Sequence, residues 1–104
     1  TASVDYLSFL HPVPIGCLMV VKSSVNRAFR TSMEVGVKVI TEDLLTGEQQ
    51  HTCSAYLTFV AVDKEGTPVE VPELVPETDD EKRRYEEAGR RRALRLEMRS
   101  RALE

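Results

Sequence analysis

T-A-S-V-D-Y-L-S-F-L-H-P-V-P-I-G, residues 1 to 16, runs from an extended apolar stretch into a turn with no helix ahead of it. Val4, Tyr6, Leu7, Phe9 and Leu10 leave both faces of a strand partly apolar, the pattern of a strand covered on both sides. Pro12, Pro14 and Gly16 end that strand, because proline donates nothing to a ladder and glycine accepts turn dihedrals. The expectation is a chain that starts in mid-fold.

Working outward, the body reads as further strands. From Cys17 to Phe29, Cys17, Met19, Val21, Ser23 and Val25 alternate with Leu18, Val20, Lys22 and Ser24, a period of two with β-branched enrichment. Asn26 to Ser32 is polar and basic and predicts a tight turn or bulge. Met33 to Ile40 sets Met33, Val35, Val37 and Val39 against Glu34, Gly36, Lys38 and Ile40, a strand with one wet face. T-E-D-L-L-T-G-E turns around Gly47, Gln50 to Asp63 forms a long final strand, and Asp63-Lys64-Glu65-Gly66 is a turn by composition. Successive hairpins of this kind predict an antiparallel sheet.

At 104 residues with 41% hydrophobic residues and no Trp, the chain holds one domain with a modest core. No apolar run approaches the ~20 residues that span a bilayer, and no charged segment precedes an apolar one at the start. The expectation is a soluble cytoplasmic protein with no membrane partner. Cys17 and Cys53 lie on different strands without a C-x-x-C or a His partner, the pattern of two buried reduced thiols. The charge is asymmetric: residues 1–77 carry 5 Lys+Arg against 10 Asp+Glu, and residues 78–104 carry 9 against 7.

One helix is predicted, after the strands. Pro72 and Pro76 mark an extended linker, and Thr78-x-x-Glu81 is a capping box in which the hydroxyl accepts from the N3 amide while the carboxylate reaches back. Asp79 and Asp80 in the first turn and arginines towards the end complement the helix dipole. The pattern predicts helix from Thr78 to about Ala88, and Gly89, costing roughly 1 kcal/mol against Ala, weakens its continuation. Tyr85, Ala88 and Leu96, with Leu94, Met98 and Leu103 alongside, form a narrow apolar stripe. Such a helix packs along an outer surface or subunit boundary and does not fill the concave face of the sheet. The chain thus divides into a sheet portion with linker, 1–77, and a basic C-terminal helix, 78–104. The apolar sheet face without a filler predicts that an N-terminal piece of the fold is missing or disordered.

The segments resemble one family in order and spacing. F-L-x-P-V-x-x-G in the opening strand, T-S-M-E-V-G-V-K-V at 31–39, A-Y-L-T-F-V-A-V-D-K-E-G-T-P-V at 55–69 and V-P-E-L-V-P-E-T-D-D-E-K-R-R-Y-E-E-A at 71–88 are similar to hotdog-fold acyl-CoA thioesterases of the YciA and brain acyl-CoA hydrolase type. The resemblance implies an α+β domain in which a five-stranded antiparallel sheet wraps one long helix and pairs edge to edge into dimers or multiples of dimers. It implies hydrolysis of acyl-CoA to a free fatty acid and CoA, with CoA as part of the substrate and no separate cofactor. The chemistry it implies comes from an Asp on the central helix that activates water while a backbone amide polarises the carbonyl. Those positions precede Thr1, so no residue here is assigned as catalytic.

The residues present narrow the alternatives. Asp5 and Glu34 are strand carboxylates, which read as solvated or paired groups ahead of general bases. His11 precedes Pro12 in a surface turn, and His51 has no second ligand at metal spacing, so no metal site is expected. Neither a G-x-S-x-G elbow nor a P-loop occurs. Asn26, Arg27, Arg30, Thr31 and Ser32 put two guanidinium groups and several donors together, an inventory suited to phosphates and equally to a solvated turn. The resemblance directs the segment Arg27, Arg30, Thr31, Ser32 and Met33 towards CoA. Arg90, Arg91, Arg92, Arg95, Arg99 and Arg101 raise the option of a nucleic-acid backbone, but the acidic body and the lack of interleaved aromatics oppose it. No nucleic-acid partner is expected, and a solvated helix is favoured over contacts to a CoA 3'-phosphate or between subunits. Against the thioesterase stands one alternative: a non-enzymatic module that binds acyl-CoA in a regulatory or assembly role.

Overall fold

The computed structural model describes residues 3–102. Four strands, β1 (Ser3–Phe9), β2 (Leu18–Ala28), β3 (Ser32–Glu42) and β4 (Gln49–Val60), precede one helix, α1 (Asp79–Ala102). The strands form one antiparallel sheet in the order β1-β4-β3-β2. Hairpins join β2 to β3 and β3 to β4, as the turn signals predict. The first connection differs: β1 pairs with β4, setting Leu7 opposite Ala55 and Phe9 opposite Cys53. A tight hairpin needs a short loop with left-handed residues at its centre. Residues 10–17 carry two prolines and reach a positive φ only at Gly16, so the segment crosses the sheet and β1 takes the open edge of β4.

The expected turn over Asn26 to Ser32 is shorter than its composition suggests. β2 continues to Ala28 through a bulge between Val25 and Arg27, and Arg27 stands opposite Glu34. Only Phe29 to Thr31 turns, closed by the Phe29 amide donating to the Ser32 carbonyl at 2.7 Å. The reason is that Asn26 finds a buried side-chain partner within the ladder and need not bond to water.

Registered rows separate two faces. Lys22–Lys38–Ser54, Ser24–Gly36–Tyr56 and Arg27–Glu34–Thr58 form a polar face; Val21–Val39–Cys53–Phe9, Ser23–Val37–Ala55–Leu7 and Val25–Val35–Leu57–Val4 form an apolar one. The apolar face is open: Phe9 is 67% exposed and Val21 58%. The buried apolar residues among those described are Cys53, Ala55 and Ala88.

α1 covers part of the polar face. The linker delivers it there, because the Val71 amide bonds the Arg30 carbonyl at 2.8 Å and the Ala61 amide bonds the Thr31 carbonyl at 2.9 Å, so the chain folds back past the β2–β3 turn. At the helix start the Thr78 hydroxyl accepts from the Glu81 amide at 3.1 Å. The Glu81 carboxylate accepts from the Glu77 amide, one residue earlier than the capping-box pattern places it. The helix then passes through Gly89 without a break.

The docking face is also not the apolar stripe that spacing suggests. Leu94, Leu96 and Met98 are exposed, whereas Ala88 is wholly buried. Arg91 stacks on Tyr56 with its guanidinium carbon 3.7 Å from the ring centroid, Arg92 lies over Phe29 at 4.7 Å, and Arg95 donates to the Thr58 hydroxyl at 3.0 Å. The arginines expected to be solvated therefore hold the helix to the sheet, because a polar sheet face is matched by guanidinium groups that stack and donate at once.

Gly89 belongs to this contact, since a Cβ there would fall on Nη1 of Arg27. In a free helix Gly89→Ala would gain ~1 kcal/mol. Here it must push the Arg27 guanidinium off the Tyr85 ring, 3.9 Å away, a contact of ~2 kcal/mol when desolvated. Gly89→Ala is expected to lower stability by ~1 kcal/mol, and the helix gain should reappear when Arg27→Ala is added; thermal melts of the single and double variants check both signs.

Candidate functional site

The most buried charge among the described residues is Glu34, 1% exposed on β3. Its strand spacing places it with the wet-face residues, and α1 removes it from water. Arg91 grips it with both ends of its fork: Nη2 donates to Oε1 at 2.6 Å and Nε to Oε2 at 3.0 Å. Asn26 donates to the same Oε1 at 3.0 Å. Burial pulls the Arg91 pKa down, but the hydrogen bond and charge of Glu34 outweigh it and hold the guanidinium above its ordinary value. A guanidinium raised in this way stays charged to a higher pH than a free one, so its contribution is complete across the ordinary pH range and is lost only in strong alkali. The cluster is a structural clamp, and Glu34 is not free to act as a base.

The expected phosphate-gripping residues separate in space. Arg27 lies within β2, stacked between Tyr85 and Phe29, and its Nη1 donates to the Tyr85 carbonyl at 3.4 Å. Arg30 is exposed at the turn. Thr31 and Ser32 are half-buried, and the Thr31 and Ser32 carbonyls are both engaged in backbone bonds. Met33 sits opposite Ala28 on β2 and Phe59 on β4. The turn therefore offers one free guanidinium where the composition suggested two, because the bulge and the returning helix capture Arg27. His11 is exposed, as its position before Pro12 predicts, and the side chain of Asp5 falls outside the described residues.

A second feature was not evident from residue spacing. Between the polar sheet face and the first half of α1 lies a cleft of about 480 Å³, lined by Lys22, Lys38, His51, Ser54, Arg84 and Glu87 among others. His51 Nε2 lies 2.7 Å from the Ser54 hydroxyl and 3.1 Å from the Cys53 carbonyl. The sequence separates these residues by strand positions that would face opposite sides. A shift in register between Val39 and Ile40 against β4 breaks the alternation there and brings the ring over Ser54. No carboxylate among the described residues orients the imidazole, and Ser54 sits on a regular strand without an exposed elbow, so the pair lacks the geometry of a nucleophile and its base. Among the described residues no group of three or more His, Cys, Asp or Glu side chains is placed to hold a metal ion. No helix among the described residues is long and apolar enough to cross a membrane.

Comparison with known proteins places this arrangement. Residues 1–48 match the model of the thioesterase superfamily. The chain is 45% identical over 95 residues to protein VdlD of Helicobacter pylori, covering 91% of this chain and 54% of that protein, so it spans about half the length of such curated relatives. Among solved structures, a hexameric acyl-CoA thioesterase matches with a TM-score of 0.89 and 42% identity over 94% of this chain and 63% of its own. An acyl-CoA hydrolase from Staphylococcus aureus, crystallised with butyryl-CoA and CoA, matches with a TM-score of 0.87 and 37% identity over 97% and 62%. With TM-scores of 0.89 and 0.87 at 42% and 37% identity over nearly all of this chain, the sheet and helix match hotdog-fold acyl-CoA thioesterases in both fold and sequence.

Proposed function

We propose that the protein hydrolyses acyl-CoA thioesters to a free fatty acid and CoA, in the cytoplasm and as a homo-oligomer built on dimers, within fatty-acid metabolism. The observation that carries this reading is the match of sheet and helix, at 37% identity, to a hydrolase crystallised with butyryl-CoA. CoA enters as part of the substrate, and no separate cofactor is needed. The 11-residue β2 is an edge strand whose outer ladder awaits a partner, which suits pairing with a second copy. Neither nucleic acid nor membrane is a partner in this reading. Arg91, Arg92 and Arg95 are occupied by Glu34, Tyr56, Phe29 and Thr58, which removes these three from the face that a polyanion would need.

Hydrolysis needs a base that takes a proton from water and a donor that meets the charge developing on the carbonyl oxygen. Glu34 is committed to Arg91, so no catalytic residue is assigned within this chain. The second reading is a module that binds acyl-CoA without cleaving it, in a regulatory or assembly role. At the ligand, Arg30 with Thr31, Ser32 and Met33 is the proposed contact to CoA, with Arg27 behind it as support for α1.

Release of free thiol from butyryl-CoA by the full-length protein separates the two readings: turnover supports the hydrolase, and CoA binding without turnover supports the module. Arg30→Ala is expected to weaken CoA about tenfold in calorimetry, the worth of one charge-assisted contact of ~1–2 kcal/mol. Unchanged affinity would remove the turn from the site.

A further inference from the structure

Lys22 and Lys38 are directly opposite each other on β2 and β3, with Ser54 of β4 next in the same row. Like charges in register repel, and sheets normally avoid them or interleave an acid. Here neither lysine, nor Arg84 across the cleft, forms an ion pair within the described residues. Four cations, Lys22, Lys38, Arg83 and Arg84, thus line one cleft with a single acid, Glu87, and of the four Arg83 has an acid partner outside it, Asp80 at 3.8 Å, in a chain whose overall charge is negative. The rest of the lining is mainly polar and includes Ser24, Ser54, Asn26, Tyr56 and His51, with Val37 as an apolar member. A repulsive arrangement kept in a concave, hydroxyl-lined space is relieved by an anion that bridges the cations.

We propose that this cleft binds a diphosphate group. Its volume of about 480 Å³ exceeds what one phosphate needs, and the cations come from two sheet strands and the facing helix, so a bridging anion with several oxygens suits it better than a single one. The cleft is separate from the Phe29–Thr31 turn, because Lys22 and Ala28 are six strand residues apart, roughly 20 Å along β2. The diphosphate comes either from CoA itself, which rests on the thioesterase reading, or from a free diphosphate compound, which does not.

Titration of inorganic pyrophosphate into the full-length protein by calorimetry tests the site. Binding is expected, weakened at least tenfold in Lys22→Gln/Lys38→Gln and with a shallower salt dependence, while Lys64→Gln in the distant turn leaves it unchanged. The double variant should also melt at a higher temperature without ligand, since the in-register repulsion is gone, and should gain less from added pyrophosphate. CoA that displaces pyrophosphate identifies the substrate as the source, and CoA that binds beside it identifies a free diphosphate. Absence of pyrophosphate binding, as when the carboxylates of a second copy fill the cleft, overturns the proposal, as does equal affinity in the double variant. The two readings fail separately: butyryl-CoA turnover with no pyrophosphate site sinks this inference alone, and pyrophosphate binding without turnover sinks only the hydrolase.

Discussion

Glu34→Ala is expected to reduce the unfolding free energy by about 3–5 kcal/mol, and Arg91→Ala by a similar amount, because removing one member of a buried ion pair strands the other. In Glu34→Ala the Asn26 amide and the Arg91 fork lose their acceptor together, and no other carboxylate among the described residues is bonded to them. In Arg91→Ala the carboxylate keeps only Asn26, and Tyr56 loses its stacked guanidinium. Glu34→Gln should cost less, since an amide oxygen still accepts from Arg91. The double variant Glu34→Ala/Arg91→Ala should cost well under the sum of the two, as neighbours in one network do not add. Urea unfolding of the four variants in the full-length protein checks the set; additive losses would show that the clamp is not a unit. Loss of helix signal ahead of sheet signal would further locate the damage at α1.

Gly36→Ala is the second large effect, expected to cost about 1–3 kcal/mol as overpacking against a held neighbour. A Cβ at Gly36 would stand 2.7 Å from Nδ2 of Asn26, the atom that donates to Glu34. Asn26 is 5% exposed and cannot swing into water without leaving Glu34 short of a donor. Pattern alone predicts the opposite sign: a glycine in a strand without a positive φ gains ~0.4–1 kcal/mol on becoming alanine, through the unfolded chain. Placing Asn26→Ala beneath it should recover most of the Gly36→Ala loss. Chemical denaturation midpoints of the two single variants and the pair provide the test, and a stabilised Gly36→Ala would mean that Asn26 has room to move.

Local signals carried the elements because they are local in origin. Alternating Val and Ser in Leu18–Ala28, Gly47 and Gly66 at positive φ, and Thr78 with Glu81 at a helix start each act within a few residues, so reading along the chain finds them. The family is legible for the same reason, since ordered segments such as T-S-M-E-V-G-V-K-V keep their spacing. The bulge at Asn26, by contrast, carries no composition signal, and with it went the pairing of Arg27 and Arg30 in one turn. The arginines at 91 and 95, with Arg84 and Ala88 before them, repeat at helical spacing along one face. Spacing of this kind does not tell a docked face from a wet one, because a guanidinium face is ordinarily the wet one.

What the sequence by itself determined is the antiparallel sheet, the late helix, the uncovered apolar face and the family, all set by short-range alternation and segment order. Only the tertiary structure decided that β1 joins β4, that Glu34 is buried in the fork of Arg91, that Arg27 serves the helix and Arg30 the solvent, and that Lys22 faces Lys38 across a cleft. Each of these depends on residues tens of positions apart meeting in one place. Whether a charge there is solvated, paired or left repelling follows from its neighbours in space, which spacing along the chain does not encode.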